Sequence, residues 1–208
     1  MTAIGLISDV HATPSPIQEA LLIFEQAGVE QVLCAGDIAG YGDQLEQSIA
    51  LLVSNGCHAI LGNHDLLYLD RHADDDHNVA VAFFNRLTTS MNTTIADKRV
   101  YMVHGRPPDN CRDGIKLLNS EGEVEPGHVA LWADELKTLD CDVLVVGHTH
   151  QVFAEQVGEI LVVNPGSSVF NHSCAILNLP EMTVKVFPLS DEQIEKTWNW
   201  SHYMIGRG

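Results

Sequence analysis

The side chains best placed to do chemistry in this 208-residue sequence fall in a few short motifs. They are Asp9-Val10-His11, Gly36-Asp37, Gly62-Asn63-His64-Asp65, His104-Gly105, Gly147-His148-Thr149-His150 and Asn164-Pro165-Gly166-Ser167. Besides His64 they offer two aspartates (Asp9, Asp37), one asparagine (Asn63) and four histidines (His11, His104, His148, His150). Mixed oxygen and imidazole donors suit Mn²⁺, Fe or Zn²⁺, and the lack of a thiolate in the set argues against a structural zinc site. Seven donors are more than one ion with an open position can use. Two ions sharing one bridging carboxylate use them well. Two metals roughly 3.5–4 Å apart form a clamp for phosphoryl transfer, with a bridging water that loses a proton and attacks. The alternative is that these are turn and capping residues, a role Asp and Asn favour. It requires all seven to fall at strand ends by coincidence.

The elements that must position these motifs follow from the apolar pattern. Residues 3–8, 31–35 and 57–61 read as short buried strands, and residues 15–27 and 43–54 as helices stopped by Gly28 and Gly56. That β-α-β-α-β order predicts parallel strands with right-handed crossovers. Residues 74–89 are expected to be helical, with the acidic run 74–76 at the positive end of the helix. Residues 99–104 read as a strand and 126–139 as a helix with Pro126 in its first turn. The segments 142–147, 151–157, 159–164, 173–179 and 183–189 read as a closely spaced β meander with hairpin turns at 157–159 and 179–181. In each case the motif follows a strand. The carboxyl ends of parallel strands share one edge of a sheet, where ligands bind. The expectation is a single α/β domain over residues 1–208, made of two packed mixed β-sheets flanked by helices.

Composition narrows the function classes. Lys and Arg total 11 against 28 Asp and Glu, for a net charge of −17. Such a surface repels nucleic acid and anionic lipid, so no nucleic-acid binding and no membrane association are expected. A small anionic substrate needs local positive charge, which divalent cations supply. The first residues lack a basic region before their short apolar run, and no stretch approaches the ~20 apolar residues that span a bilayer. Five cysteines without a CxxC pair read as reduced thiols, and the expected location is cytoplasmic.

The ordered set DxH, GD, GNHD, HG, GHTH, NPGS resembles the calcineurin-like metallophosphoesterase superfamily, and its size and GHTH ending are similar to the compact bacterial and archaeal phosphodiesterases. The resemblance runs from Asp9 to Ser167. It implies two divalent metal ions, with manganese the best guess and iron, zinc and nickel open. By position it implies that Asp9, His11 and His150 bind the first ion, that Asp37 bridges, and that Asn63, His104 and His148 complete the second site. His64 is similar to the family histidine that stabilises the phosphoryl oxygens and protonates the leaving alkoxide. Asp65 is then expected to orient His64.

The sequence also departs from the pattern. Ala12 stands where the family often has Gly. Tyr41 occupies the position of an Arg that contacts phosphate in phosphoprotein phosphatases and symmetrical dinucleoside tetraphosphatases. The segment 168–172 lacks the Arg many small relatives carry after NPGS. The favoured reading is therefore a phosphodiesterase acting on a small phosphoester or nucleotide substrate. A phosphomonoesterase, a phosphoprotein phosphatase and a dinucleoside polyphosphate hydrolase are the enzyme alternatives. An interaction scaffold is the non-enzyme alternative, which the presence of His64 opposes. Arg106 is either a phosphate contact or a surface Arg, and Tyr41 either stacks on a substrate ring or packs in its turn. His58, His72, His77, His128 and His202 read as structural or surface residues. The aromatic stretch 198–205 is expected to fold back on the body, with a homodimer contact as its functional alternative.

Overall fold

The computed structural model describes residues 1–75 and 77–198. Its elements run β1 (Thr2–Ile7), α1 (Pro14–Gln26), β2 (Gln31–Cys34), α2 (Leu45–Ser54), β3 (His58–Ala59), α3 (Asn63–Arg71), α4 (Val79–Phe84), β4 (Ser90–Ile95), β5 (Lys98–Val103), α5 (Pro126–Leu136), β6 (Val143–Val145), β7 (Val152–Val157), β8 (Ile160–Pro165), β9 (Ser173–Leu179) and β10 (Thr183–Pro188). They form two mixed five-stranded sheets, β10-β9-β1-β2-β3 and β4-β5-β6-β8-β7, flanked by helices. Strands β1, β2 and β3 are parallel in the first sheet, and β5, β6 and β8 are parallel in the second.

Period-2 alternation of apolar residues on both faces builds the layers. Ile4 and Leu6 of β1 meet Val100, Met102, Val143 and Val163 between the sheets. Ile7 joins Phe24 of α1, Leu52 of α2 and Phe84 of α4 on the outer side of the first sheet. Leu144 and Val162 of the second sheet turn outward to Leu136 of α5. Gly5 keeps α1 close: a β-carbon there would run into the Phe24 ring.

Several expectations are corrected. The acidic run does not start a helix at residue 74. Asn78 starts α4 instead, because its Oδ1 accepts hydrogen bonds from the N–H groups of Ala80 and Val81. Strand β4 carries polar residues on a sheet edge and joins β5 through Ala96 and Asp97, both at positive φ without a glycine, so no turn signal marks it. The meander splits. The β7–β8 hairpin stays in the second sheet, whereas β9 crosses to the first and pairs antiparallel with β1. A strand buried on both faces, as β9 is, belongs inside a sheet and not in an open meander.

Candidate dinuclear metal centre

The candidate ligands sit in the loops that follow β1, β2, β5 and β6, and on the first residue of α3. Both sheets point these ends toward one another. Asp9, His11, Asp37, His148 and His150 all hold positive φ, between 43° and 64°. Non-glycine residues rarely adopt this conformation, and the cost, of order 1–3 kcal/mol each, is borne only where surrounding contacts fix it. Those contacts are present. The Asp9 N–H donates to Gly36 O at 3.0 Å and the His11 N–H to Asp37 O at 3.0 Å, so the first two loops lock together. The NPGS turn ties in the rest. Asn164 Nδ2 donates to Gly147 O and Thr149 Oγ1, Ser167 Oγ donates to Asp9 O at 2.7 Å, and Asn171 Nδ2 donates to His150 O. Gly147 and Gly62 have no room for a side chain. A β-carbon on the first would strike Ser8 Oγ and Asp9 Oδ2, and one on the second would strike Asp37.

The functional atoms converge. His150 Nε2 lies 3.2 Å from Asp9 Oδ1 and 3.4 Å from His11 Nε2. His104 Nε2 lies 3.3 Å from Asp37 Oδ2 and 4.0 Å from Asp9 Oδ1. The side-chain amide of Asn63 reaches 2.8 Å from His148 Nδ1 and 3.2 Å from His104 Nε2. Among the described residues, three groups have ligand atoms within 4.8 Å of one another: Asp9, His11 and His150; Asp9, Asp37 and His104; and His11, Asp37 and His64. The structure thus brings all seven sequence-derived candidates together, with His64 beside them.

These residues fit a cation. Asp9 Oδ2 accepts from Ser8 Oγ and the His148 N–H, but the fully buried Oδ1 accepts no hydrogen bond and faces imidazole nitrogens. A buried oxygen without a partner calls for an ion or water. The electrostatics agree. Burial opposes charge on Asp9 and Asp37, yet His150 chiefly holds the first carboxyl, and His104 the second, below the usual carboxylate range. Burial lowers His11 to about 4 against the pull of Asp9, and it also lowers His148. Both imidazoles are then neutral, the form that binds metal. Burial also opposes charge on His104, but Asp37 and then Asp9 outweigh it and push this imidazole up to about 10. Its Nδ1 is 2.7 Å from Ala35 O and donates to it, which turns Nε2 to the cluster.

Two expected roles are corrected. Asp65 does not orient His64. Adjacent helix residues face different directions, and the Asp65 carboxylate is used on main-chain N–H groups, Ala39 at 2.7 Å and Gly62 at 2.8 Å. It caps α3 and pins the loop after Asp37. Burial, followed by the nearby Asp37 charge, raises its carboxyl to about 7. Arg106 is not among the residues that line the cleft, although its partner Asp113 is. Arg106 lies in a small loop ladder with Asn110 and pairs with Asp113 at 3.4 Å. Tyr41 is at the site: its ring is 4.8 Å from both the His11 and His64 rings. His64 has its N–H bound to Asp37 Oδ1 at 2.8 Å and its ring 5.0 Å from that of His11.

Asp37, Asn63, His148 and His150 of the candidate ligand set line the floor of a cavity of about 790 Å³. Sequence reasoning missed Arg112, Lys116 and Phe170, and it expected Trp198 to fold back without placing it at the site. Arg112, Lys116 and Trp198 line the cavity. Phe170 stacks on His150 at 5.3 Å and on Trp198 at 4.3 Å. The expected fold-back of the aromatic stretch holds for Trp198, whose N–H donates to His150 O; residues 199–205 lie outside the described residues. Only the position of Phe170, three residues after the NPGS motif, offered a signal for the missed group.

Comparison with known proteins agrees with this geometry. The family model of the calcineurin-like phosphoesterase superfamily domain matches residues 2–180. The phosphodiesterase YfcE of Escherichia coli K12 is 24% identical over 172 residues, covering 80% of this chain and 79% of that protein. The phosphodiesterase MJ0936 of Methanocaldococcus jannaschii is 25% identical over 165 residues, covering 78% and 82%. The hypothetical protein PH1004 of Pyrococcus horikoshii has the same fold, with a TM-score of 0.71 at 16% identity over 100% of this chain and 92% of that one. The chain therefore belongs to the calcineurin-like phosphoesterase superfamily, as a metal-dependent phosphoester hydrolase.

Proposed function

We propose that the protein is a dinuclear-metal phosphodiesterase. The observation that carries this reading is the convergence of three imidazoles, His11, His104 and His150, and the Asp37 carboxylate on the fully buried Asp9, whose Oδ1 accepts no hydrogen bond. Asp9, His11 and His150 would hold one ion, Asn63, His104 and His148 the other, and Asp37 both. Such ions supply Lewis acidity to the phosphoryl oxygens and make water acidic enough to act as a nucleophile near neutral pH. Manganese fits the oxygen and nitrogen donors, as do iron, zinc and nickel.

The chain's own residues do the rest. Asp9 and Asp37 stay ionised because their imidazole neighbours hold their protons off, so both carboxylates are ready at neutral pH, whereas His104 would have to release a proton as an ion binds. His64 lines the cavity beside Asp37, where an incoming phosphoryl group rests. In the reaction a water releases a proton to solvent as its oxygen bonds to phosphorus, the ester P–O bond breaks on the opposite side, and His64 gives a proton to the departing oxygen and regains one from solvent. Asp65 keeps His64 in place indirectly, by fixing the first turn of α3. Diesters are favoured over monoesters because Tyr41 stands where phosphomonoesterase relatives carry Arg, and the Arg106 charge is taken up by Asp113.

The test is hydrolysis of bis(p-nitrophenyl) phosphate against p-nitrophenyl phosphate by chelated protein titrated with Mn²⁺, beside His64→Ala. The expected result is metal-dependent diester cleavage that falls by about 10²- to 10⁴-fold in the variant, with metal content unchanged. Faster cleavage of the monoester overturns the diester preference. Equal rates for wild type and His64→Ala overturn the role of His64.

A further inference from the structure

We infer that Arg112 and Lys116 form a second anion subsite, and that the substrate is a nucleotide-like phosphoester bearing a further phosphate beyond the scissile one. The inference rests on the phosphoesterase reading of the same cleft and adds the substrate class to it.

The placement comes from the backbone. After the loop that follows β5, residues 114–118 run along the cavity, with Ile115 and Leu117 fully buried and Lys116 between them exposed. Ile115 and Leu117 join the core beneath the second sheet, and Lys116 lines the cavity. The segment is fastened to the loop that carries His148 and His150. Thr149 Oγ1 donates to Ile115 O at 3.1 Å. Gln151 Oε1 accepts from the N–H groups of Leu117 and Leu118, and its Nε2 donates to Leu118 O. Gly114 packs so closely on His148 and Thr149 that a β-carbon would collide with both. Both cations are thereby held at fixed positions relative to the metal cluster, and both line the same cavity as Asn63 and His64.

Arg99, Arg106 and Lys137 are ion-paired, but among the described residues no ion pair includes Arg112 or Lys116. Asp113 lines the same wall, but its carboxylate is paired with Arg106. In a chain of net charge −17, two cations left over on the wall of one cleft raise the local potential where the surface otherwise repels anions. The scissile group does not need them. Two divalent ions outweigh the charges of Asp9 and Asp37 and leave a surplus for the single negative charge of a diester. Arg112 and Lys116 therefore suit additional phosphate oxygens, which Arg grips in a bidentate fork and Lys as a point charge. The same cavity is bounded by Tyr41 and Trp198, two aromatic faces suited to a planar base.

The test is equilibrium binding of α,β-methylene-ADP and of AMP to the Mn²⁺-loaded protein by titration calorimetry. Wild type is compared with Arg112→Ala/Lys116→Ala and with the charge-preserving Arg112→Lys/Lys116→Arg. Chelation of Mn²⁺ by the nucleotides is common to all three and cancels. Wild type is expected to bind the diphosphate about tenfold tighter than AMP or better. The alanine pair is expected to bring that ratio near one, and the charge-preserving pair to keep most of it. A ratio near one in wild type, or a ratio that survives the alanine pair, overturns the inference. The single-phosphate probe bis(p-nitrophenyl) phosphate separates the two readings. Diester turnover without a diphosphate preference removes only the subsite. A preference that depends on the cation pair, without diester turnover, removes the diesterase reading and keeps the subsite.

Discussion

The floor and the wall of the cleft are built on opposite terms. At the floor Asp9 and His104 are fully buried, their loops are locked by main-chain hydrogen bonds, and five of the candidate ligands have a backbone conformation that costs energy to hold. At the wall Arg112, Lys116 and Tyr41 are exposed, and the two cations reach the cavity from a backbone fastened to the floor. The floor is specified from all sides because chemistry tolerates little displacement. The wall needs only charge and aromatic faces in the right neighbourhood. The difference teaches where selection between substrates can change without loss of catalysis.

The contrast can be broken most severely at Asp37. Asp37→Ala removes the one carboxylate shared by the cluster, and turnover is expected to fall below detection together with bound metal, as read by elemental analysis. Asp65→Ala acts on the floor at one remove. It strands two buried N–H groups, so turnover is expected to fall about 10- to 100-fold. Stability is expected to fall by about 2 kcal/mol in urea titration. An unchanged kcat with only the stability loss would mean that Asp65 is merely a cap.

Gln151→Ala tests the join between floor and wall. It leaves two N–H groups and one carbonyl of the buried 117–118 segment without partners, for a loss of about 2 kcal/mol. KM is expected to rise more than kcat falls, because the wall moves and the floor does not. On the wall itself, Tyr41→Ala is expected to lower kcat/KM for aryl diesters about threefold, through KM, with no change in metal affinity.

The smallest effect lies far from the cleft and serves as its control. Arg99 holds the Asp142 carboxyl down to about 2 by hydrogen bonding. A lowered folded-state pKa gives stability that is present above the ordinary carboxylate range and lost as pH falls through about 2. In metal-stripped protein, Arg99→Ala is expected to flatten the stability-versus-pH slope between about pH 4 and 2 and to cost less than about 1 kcal/mol at neutral pH.

The same contrast explains what could be read in the sequence. Floor residues are scarce types at strand ends, so Asp9, His11, Asp37, Asn63, His104, His148 and His150 stand out once the strands are marked. The wall has no such signature. Arg112 and Lys116 lie in an irregular loop, and only the contacts of Gln151 and Thr149 bring that loop to the cleft. Asp65 was legible as important but not in its role, since nothing in a sequence says which of several nearby N–H groups a carboxylate will meet. Helix α3 was hidden because its apolar residues are few and partly exposed, and β4 because it is polar and joined by a glycine-free turn.

The return of β9 to the first sheet bears on how the chain is made. Strand β1 lies between β2 and β9, and Leu6 pairs with Ala175. During synthesis β1 and β2 can meet early, but the other flank of β1 stays open until the chain has grown past residue 179. Contacts so distant in sequence form slowly, and an apolar strand with an unpaired flank invites pairing with another chain in the meantime. The nascent protein thus spends most of its elongation as an incomplete sheet in need of shielding, and truncation before β9 would leave an aggregation-prone fragment, not a smaller working enzyme.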